Sequence, residues 1–73
     1  MMSYQELMEL IYEAICEIEK EGQKPEEVII GDRYKEECNE ACQILKGKPT
    51  TVFGVPFKYE NLPKEVSFYI TTE

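Results

Sequence analysis

The 73-residue chain contains no histidine and no tryptophan. Without an imidazole, the commonest general base and nitrogen metal ligand is missing, and nucleophile pairs that depend on histidine are excluded. The four glycines lie far apart, so no glycine-rich loop is available to bind phosphate groups. These absences disfavour most hydrolytic and nucleotide-dependent chemistry, and we expect a non-catalytic protein that needs no cofactor.

Basic residues are also few, and they are unevenly placed. The chain has 15 acidic and 8 basic residues, which gives a net charge of −7. Residues 1–45 hold 12 acidic and 4 basic residues, whereas residues 46–73 hold 3 and 4, so the two halves carry −8 and +1. Nucleic acids and anionic membranes attract cationic surfaces. We therefore expect neither as a partner.

Long apolar runs are absent, and cysteine is limited to three positions. The apolar stretches are far shorter than a membrane span, and the first residues do not resemble a signal peptide. Three thiols cannot all pair within one chain, so we expect free cysteines and a cytoplasmic location. Cys38 and Cys42 lie four residues apart, but zinc needs two further ligands. Packing as small apolar side chains is the favoured interpretation, and a thiol metal-binding or redox protein remains an alternative.

A helix is predicted from Ser3 to Glu21. Ser3 and Glu6 have the spacing of a capping box, and Gly22 predicts a left-handed end. Apolar residues at helical spacing form one stripe: Leu7, Ile11, Ala14, Ile15 and Ile18. Tyr4, Met8 and Tyr12 follow the flank of that stripe, where they either complete the edge of the core or contact a partner.

A strand, a second helix and further strands are predicted in the rest of the chain. Residues 28–30 are β-branched without alternation, which is typical of a strand near the middle of a sheet. Asp32 is a predicted N-cap for a helix whose apolar stripe is Tyr34, Cys38, Ala41 and Leu45. The next strand covers residues 50–53, and Gly54 with Pro56 predicts a bulge or a sheet edge.

The last third of the chain alternates apolar and polar residues on either side of a turn at residues 61–64. This pattern predicts a hairpin with one face in water, on which Tyr69 is exposed. Residues 1–73 therefore form one predicted α+β domain. Two helices pack on a small mixed or antiparallel sheet in the order α-β-α-β-β-β.

Residues 25–70 resemble a segment of tailed-phage major capsid proteins and of small phage or prophage proteins. The shared pattern is a proline, a short apolar strand, an aromatic residue opening a helix, an aromatic-Gly-aliphatic-Pro segment, a second strand, a Leu-Pro turn and a final strand. Its elements here are Pro25, residues 28–30, Tyr34, residues 53–56, residues 57–59, residues 62–63 and residues 66–68. The chain is far too short to build a capsid shell. The resemblance implies phage origin and a similar topology, and it transfers no catalytic residue.

Surface recognition is the function that remains. We expect a small phage-type accessory protein that acts through contacts with a protein partner, with self-association into a homodimer left open. The candidate contact residues are Glu9, Glu13, Glu17, Tyr12, Val55 and Tyr69. The acidic ridge formed by the three glutamates is typical of a solvated helix face. The same ridge also fits an alternative, an acidic mimic of nucleic acid that inhibits a host enzyme.

Overall fold

The computed structural model describes residues 3–44 and 51–73, without the side chains of residues 40–44. Its elements are α1 (Tyr4–Lys20), β1 (Pro25–Gly31), a 3₁₀ turn (Asp32–Tyr34) that runs into α2 (Lys35–Ile44), β2 (Thr51–Val52), β3 (Val55–Glu60) and β4 (Phe68–Thr72). The predicted α+β class and the order α-β-α-β-β-β are confirmed. Neither helix of the described part is long and apolar enough to cross a membrane.

Helix α1 begins and ends where the sequence predicts. The Ser3 hydroxyl accepts a hydrogen bond from the backbone N–H of Glu6 at 3.3 Å, which satisfies one of the free donors of the first turn. At the other end, Gly22 has a φ of +81°. Its N–H donates to the Glu19 carbonyl, and the N–H of Gln23 donates to the Ile18 carbonyl. This pair of bonds is the Schellman arrangement.

The four strands form one mixed sheet in the order β2-β3-β1-β4. Strand β1 is parallel to β3 and antiparallel to β4, and it lies between them. The prediction of a hairpin linking the last two strands is therefore wrong. The turn lies at Pro63–Val66, where the N–H of Val66 donates to the Pro63 carbonyl at 2.9 Å, two residues later than predicted. The chain after β3 passes across the carboxyl end of β1 before it enters β4. The tight hairpin of this protein joins β2 to β3 instead.

Strand β1 occupies the centre of the sheet, as its β-branched run predicts. Val28 and Ile30 face the helices, and Ile29 faces the opposite side, yet all three are at most 1% exposed. The cluster on the helix side contains Leu7, Ile11, Ile15, Val28, Ile30, Tyr34, Cys38 and Val55. Ile29 lies between Lys58 and Tyr69 in register. The aliphatic part of the Lys58 side chain can shield Ile29 from solvent, while the ammonium group of Lys58 contacts Glu27 and Glu60 at the surface.

The start of the second helical segment differs in detail from the prediction. Asp32 lies inside the 3₁₀ turn, whose N-cap is Gly31 and has no side-chain capping bond, so Asp32 is not an N-cap. Tyr34 and Cys38 are buried against the core, as their spacing predicts. Ala41 and Leu45 lie outside the described side chains.

Arg33 fastens the loop that crosses the end of β1. Its guanidinium donates to four backbone carbonyl oxygens of that loop, those of Leu62, Pro63, Lys64 and Val66, at 3.4, 3.4, 3.2 and 2.9 Å. The backbone N–H of Gly31 also donates to Ser67 at 2.8 Å. Only a planar side chain with five donors can serve so many oxygens. Arg33 and the backbone bond from Gly31 thus hold the crossover together.

Candidate functional site

One flank of α1 carries the apolar side chains from which the candidate site is built. Tyr4, Met8 and Tyr12 follow one another at intervals of four residues and therefore share a side of the helix. Tyr4 and Met8 are half-buried against the core cluster, and Tyr12 is 51% exposed. The inner side of this flank completes the edge of the core, as one interpretation predicts, whereas contact of its exposed outer end with a partner stays a prediction.

The β2–β3 hairpin brings Phe53 to this flank. Val52 pairs with Val55, so Phe53 and Gly54 form a two-residue loop. Both loop residues have positive φ, +52° and +82°, as a type I′ turn requires. The prediction of a bulge or sheet edge at Gly54 is corrected to this turn. Asn or Gly normally occupies the first loop position, because Gly has no Cβ to be strained in the left-handed region and the short Asn side chain can hydrogen-bond locally there. Phe53 is 53% exposed, so core burial does not explain the strain.

Phe53 and α1 enclose an open apolar groove. The rings of Phe53 and Tyr12 lie 5.2 Å apart between centroids, tilted by 43°, which is a favourable aromatic geometry. The groove has a volume of about 430 Å³ and is lined by Tyr4, Gln5, Met8, Glu9, Tyr12 and Phe53. We call it the Tyr12–Phe53 groove. Its size is within the range of ligand-binding clefts, and it suits one or two apolar side chains of a partner.

Acidic residues border the Tyr12–Phe53 groove on the solvent side. Glu9 lies on its rim, and exposed Glu13 and Glu17 continue the ridge along α1, turning away from the groove. Among the residues that the structure describes, no Lys or Arg forms an ion pair with these three carboxylates. The rim therefore favours a partner with positive charge beside its apolar anchor.

The hydroxyl of Tyr12 is tied to the neighbouring turn of α1. A hydrogen bond with the exposed Cys16 thiol raises the pKa of Tyr12 above its ordinary value near 10, and the charge of Glu19 adds to this effect. Tyr12 consequently stays neutral across the physiological range. Its role at the groove is that of an amphipathic contact residue rather than a proton donor.

The structure brings together only some of the predicted contact residues. Glu9 and Tyr12 meet at the groove, and Glu17 lies farther around the helix. Val55 is 6% exposed and belongs to the core cluster, so its prediction as a contact residue is wrong. Alternation in β3 turns its side chain toward the helices. Tyr69 is 42% exposed, as predicted, but it lies on the sheet face opposite the helices.

Sequence reasoning missed Phe53, the most exposed large apolar residue of the described chain. The available signal was the Phe-Gly pair between two valines. Two β-branched residues that flank a two-residue spacer ending in Gly are typical of a hairpin. A bulky aromatic at the position where Asn is usual indicates that something other than turn stability selects it.

Two other groups of side chains are packed into the described fold. Arg33 is committed to four loop carbonyls and lies 5.1 Å from the Tyr34 ring centre, so the segment after β1 fastens the fold. Cys38 is 5% exposed within the core, as predicted, and the side chain of Cys42 lies outside the description. The described residues contain no group of three or more Cys, Asp or Glu placed to hold a metal ion.

The chain matches no protein-family model, and no curated protein and no solved structure is significantly similar to it.

Proposed function

We propose that this chain is a non-catalytic, phage-type accessory protein that acts through protein–protein contacts, with the Tyr12–Phe53 groove as its contact surface. The observation that carries the proposal is the conformation of Phe53, with its φ of +52° and its half-exposed ring. A Cβ in the left-handed region costs roughly 1–2 kcal/mol. Strain of this kind is retained at binding and switch sites more often than elsewhere.

The composition of the groove suits a protein partner. Tyr, Met and Phe are enriched where proteins bind one another, and aromatic anchors supply much of the binding energy. Methionine adapts its shape to different partners, and Met8 lies at the centre of the Tyr4–Tyr12 row. With Glu9 on the rim, the matching partner segment presents an apolar side chain next to Lys or Arg.

The phage assignment is supported by the resemblance of residues 25–70 to capsid-protein segments. That resemblance covers no part of α1, and of the residues that line the groove it includes Phe53 alone. A cytoplasmic location fits the exposed Cys16 and the buried Cys38, neither of which is in a disulfide among the described residues.

Selection of binding peptides tests the proposal. A displayed library of random dodecapeptides is panned against the wild-type chain, with the Phe53→Asn variant as the counter-target. We expect enriched peptides with an aromatic or large aliphatic residue beside Lys or Arg, because these match the groove and its rim. They should bind Tyr69→Ala, the matched control on the opposite sheet face, as tightly as wild type. No enrichment, or equal affinity for Phe53→Asn, would contradict the proposal.

The alternative function, mimicry of nucleic acid, is favoured by Glu9, Glu13 and Glu17, which are exposed and form no ion pair with a described Lys or Arg. It predicts that the triple variant Glu9→Lys, Glu13→Lys, Glu17→Lys loses a host target whereas Phe53→Asn retains it. The groove proposal predicts that Phe53→Asn has the larger effect, since only Glu9 of the three glutamates touches the groove. Measuring both variants against the same target therefore separates the two functions.

A further inference from the structure

Strand β4 is an unprotected edge of the sheet. It lies at the end of the strand order, and within the described chain it pairs with β1 alone. Residues 67–72 contain no charge, no Pro and no Gly, and they are rich in aromatic and β-branched residues. Edge strands usually carry charges, prolines or bulges that prevent pairing with another chain. The exposed side of β4 has no charge and no proline, and the bulge in its pairing with β1 lies on β1, between Pro25 and Glu27.

The hydrogen bonds at its two ends show which groups of β4 are free. The N–H of Gly31 donates to the Ser67 carbonyl at 2.8 Å, and the N–H of Glu73 donates to the Lys24 carbonyl at 3.2 Å. Ser67 and Glu73 thus point their backbone groups toward the interior of the sheet. Because these groups alternate along a strand, Phe68, Ile70 and Thr72 direct their N–H and C=O groups away from β1.

We propose that β4 pairs antiparallel with β4 of a second copy of this chain, about a two-fold axis at Ile70. In that register the outward groups of the three residues meet their counterparts, so that each residue both donates and accepts a bond. Ile70 lies opposite Ile70, Phe68 opposite Thr72, and Tyr69 opposite Thr71. Aromatic residues beside β-branched ones are favourable cross-strand pairs, and no like charges face one another.

The other edge of the sheet explains why the association stops at two copies. The described part of strand β2 is Thr51–Val52, and the adjoining β3 contains Pro56, Lys58 and Glu60. A proline and charges both hinder further pairing. Two four-stranded sheets joined through β4 would therefore form a closed pair with a self-complementary interface.

The small core provides a reason for the association. Nine apolar residues are buried among those described, and domains of this size often depend on oligomerisation for stability. Phe68 and Ile70 are only half-buried at the edge of the core cluster, and pairing would cover them further. Each copy carries −7, so the copies repel one another and added salt should strengthen the dimer.

Sedimentation equilibrium over a concentration series, at low and high salt, tests this inference. We expect a wild-type dimer whose dissociation constant falls with salt. The double variant Tyr69→Lys, Thr71→Lys places like charges opposite one another on both sides of the axis, and it should weaken the dimer at least about ten-fold. The control Asn39→Lys, Asn61→Lys adds the same charge at exposed sites away from β4 and should dimerise as wild type.

Mixing the double variant with Tyr69→Glu, Thr71→Glu should restore a dimer, because opposite charges then face one another. If these variants do not fold, amide hydrogen exchange of the wild-type chain tests whether β4 forms the dimer interface. The N–H groups of Phe68, Ile70 and Thr72 should become protected as concentration rises. A wild-type monomer at the highest soluble concentration, open-ended aggregates, or a dimer that leaves these three amides unprotected would overturn the inference. Phe53→Asn should leave the dimer unchanged. The test of dimerisation is therefore independent of the test of peptide binding at the Tyr12–Phe53 groove.

Discussion

Replacing Phe53 separates the energy of its side chain from the strain of its backbone. Its ring is 53% exposed, so about half of the ~1.5–3 kcal/mol gained by burying a Phe is realised, or roughly 1 kcal/mol. Its φ of +52° costs a residue with a Cβ roughly 1–2 kcal/mol. Asn adopts this conformation readily and is favoured in type I′ turns. The two terms therefore oppose each other in Phe53→Asn.

The free energy of unfolding of Phe53→Asn should lie within about 1 kcal/mol of the wild-type value. Phe53→Ala loses the ring but keeps the strain, so it should be less stable than Phe53→Asn by about 1 kcal/mol, or ~4–8 °C in melting temperature. Urea denaturation followed by circular dichroism measures both variants. Equal stabilities of the Ala and Asn variants would show that position 53 is unstrained. A loss above about 2 kcal/mol in Phe53→Asn would show that the ring is a core residue rather than a contact surface.

Three further substitutions test other parts of the account. Arg33→Met removes the donors of its two shortest loop bonds, 2.9 and 3.2 Å, and urea denaturation should show a loss of roughly 2–3 kcal/mol; a loss below about 1 kcal/mol would refute the fastening role. Gly22→Ala meets no atom within 4 Å of the new Cβ, so its cost should be the backbone term alone, about 1 kcal/mol by the same assay, and an unchanged stability would contradict the left-handed cap. Cys16→Ala should lower the pKa of Tyr12 toward 10, as measured by NMR of the tyrosine ring carbons. A raised pKa means that folding favours the neutral form of Tyr12. The contribution of this contact to stability is therefore present below pH 10 and is lost as pH rises through the folded-state pKa. An unchanged pKa would show that the thiol does not hold the hydroxyl.

Local patterns predicted the elements whose structure is decided locally. The α1 stripe, its Ser3 cap and its Gly22 end depend on neighbours within one or two turns. The central position of β1 followed from residues 28–30, because a strand covered on both faces needs apolar side chains at successive positions. These predicted features are present in the structure because the local conformational preference of these residues and the burial of their apolar side chains favour the same arrangement.

Local sequence patterns could not predict which strands pair with one another in the sheet. The turn signals at residues 61–64 predict that the chain reverses direction, but they do not show that β1 lies between β3 and β4. That arrangement depends on Arg33, whose four acceptors lie about thirty residues away in the chain. Polar side chains that organise loops leave no periodic signal in the sequence. The role of Arg33 in holding the crossover was therefore not predicted.

The candidate site could be predicted only in part for a similar reason. The α1 flank was visible from its spacing of four residues, and Tyr12 was identified. Its partner Phe53 comes from a hairpin more than forty residues later, and that hairpin was not recognised because Gly54 with Pro56 was interpreted as a bulge or a sheet edge. Val55 was assigned to the surface although the same hairpin turns it into the core. One misread turn thus accounts for both errors.

The most direct test of the central claim is the response of the Met8 methyl group to a peptide selected on the wild-type chain. Met8 lies inside the Tyr12–Phe53 groove, and no other described methionine lies nearby. Titration followed by methyl NMR should shift the Met8 resonance in proportion to binding, and Phe53→Asn should raise the dissociation constant at least about ten-fold, the loss expected from removing an aromatic anchor. A peptide that binds tightly while the Met8 signal stays fixed, or that binds Phe53→Asn equally well, would contradict the claim that this groove is the contact surface.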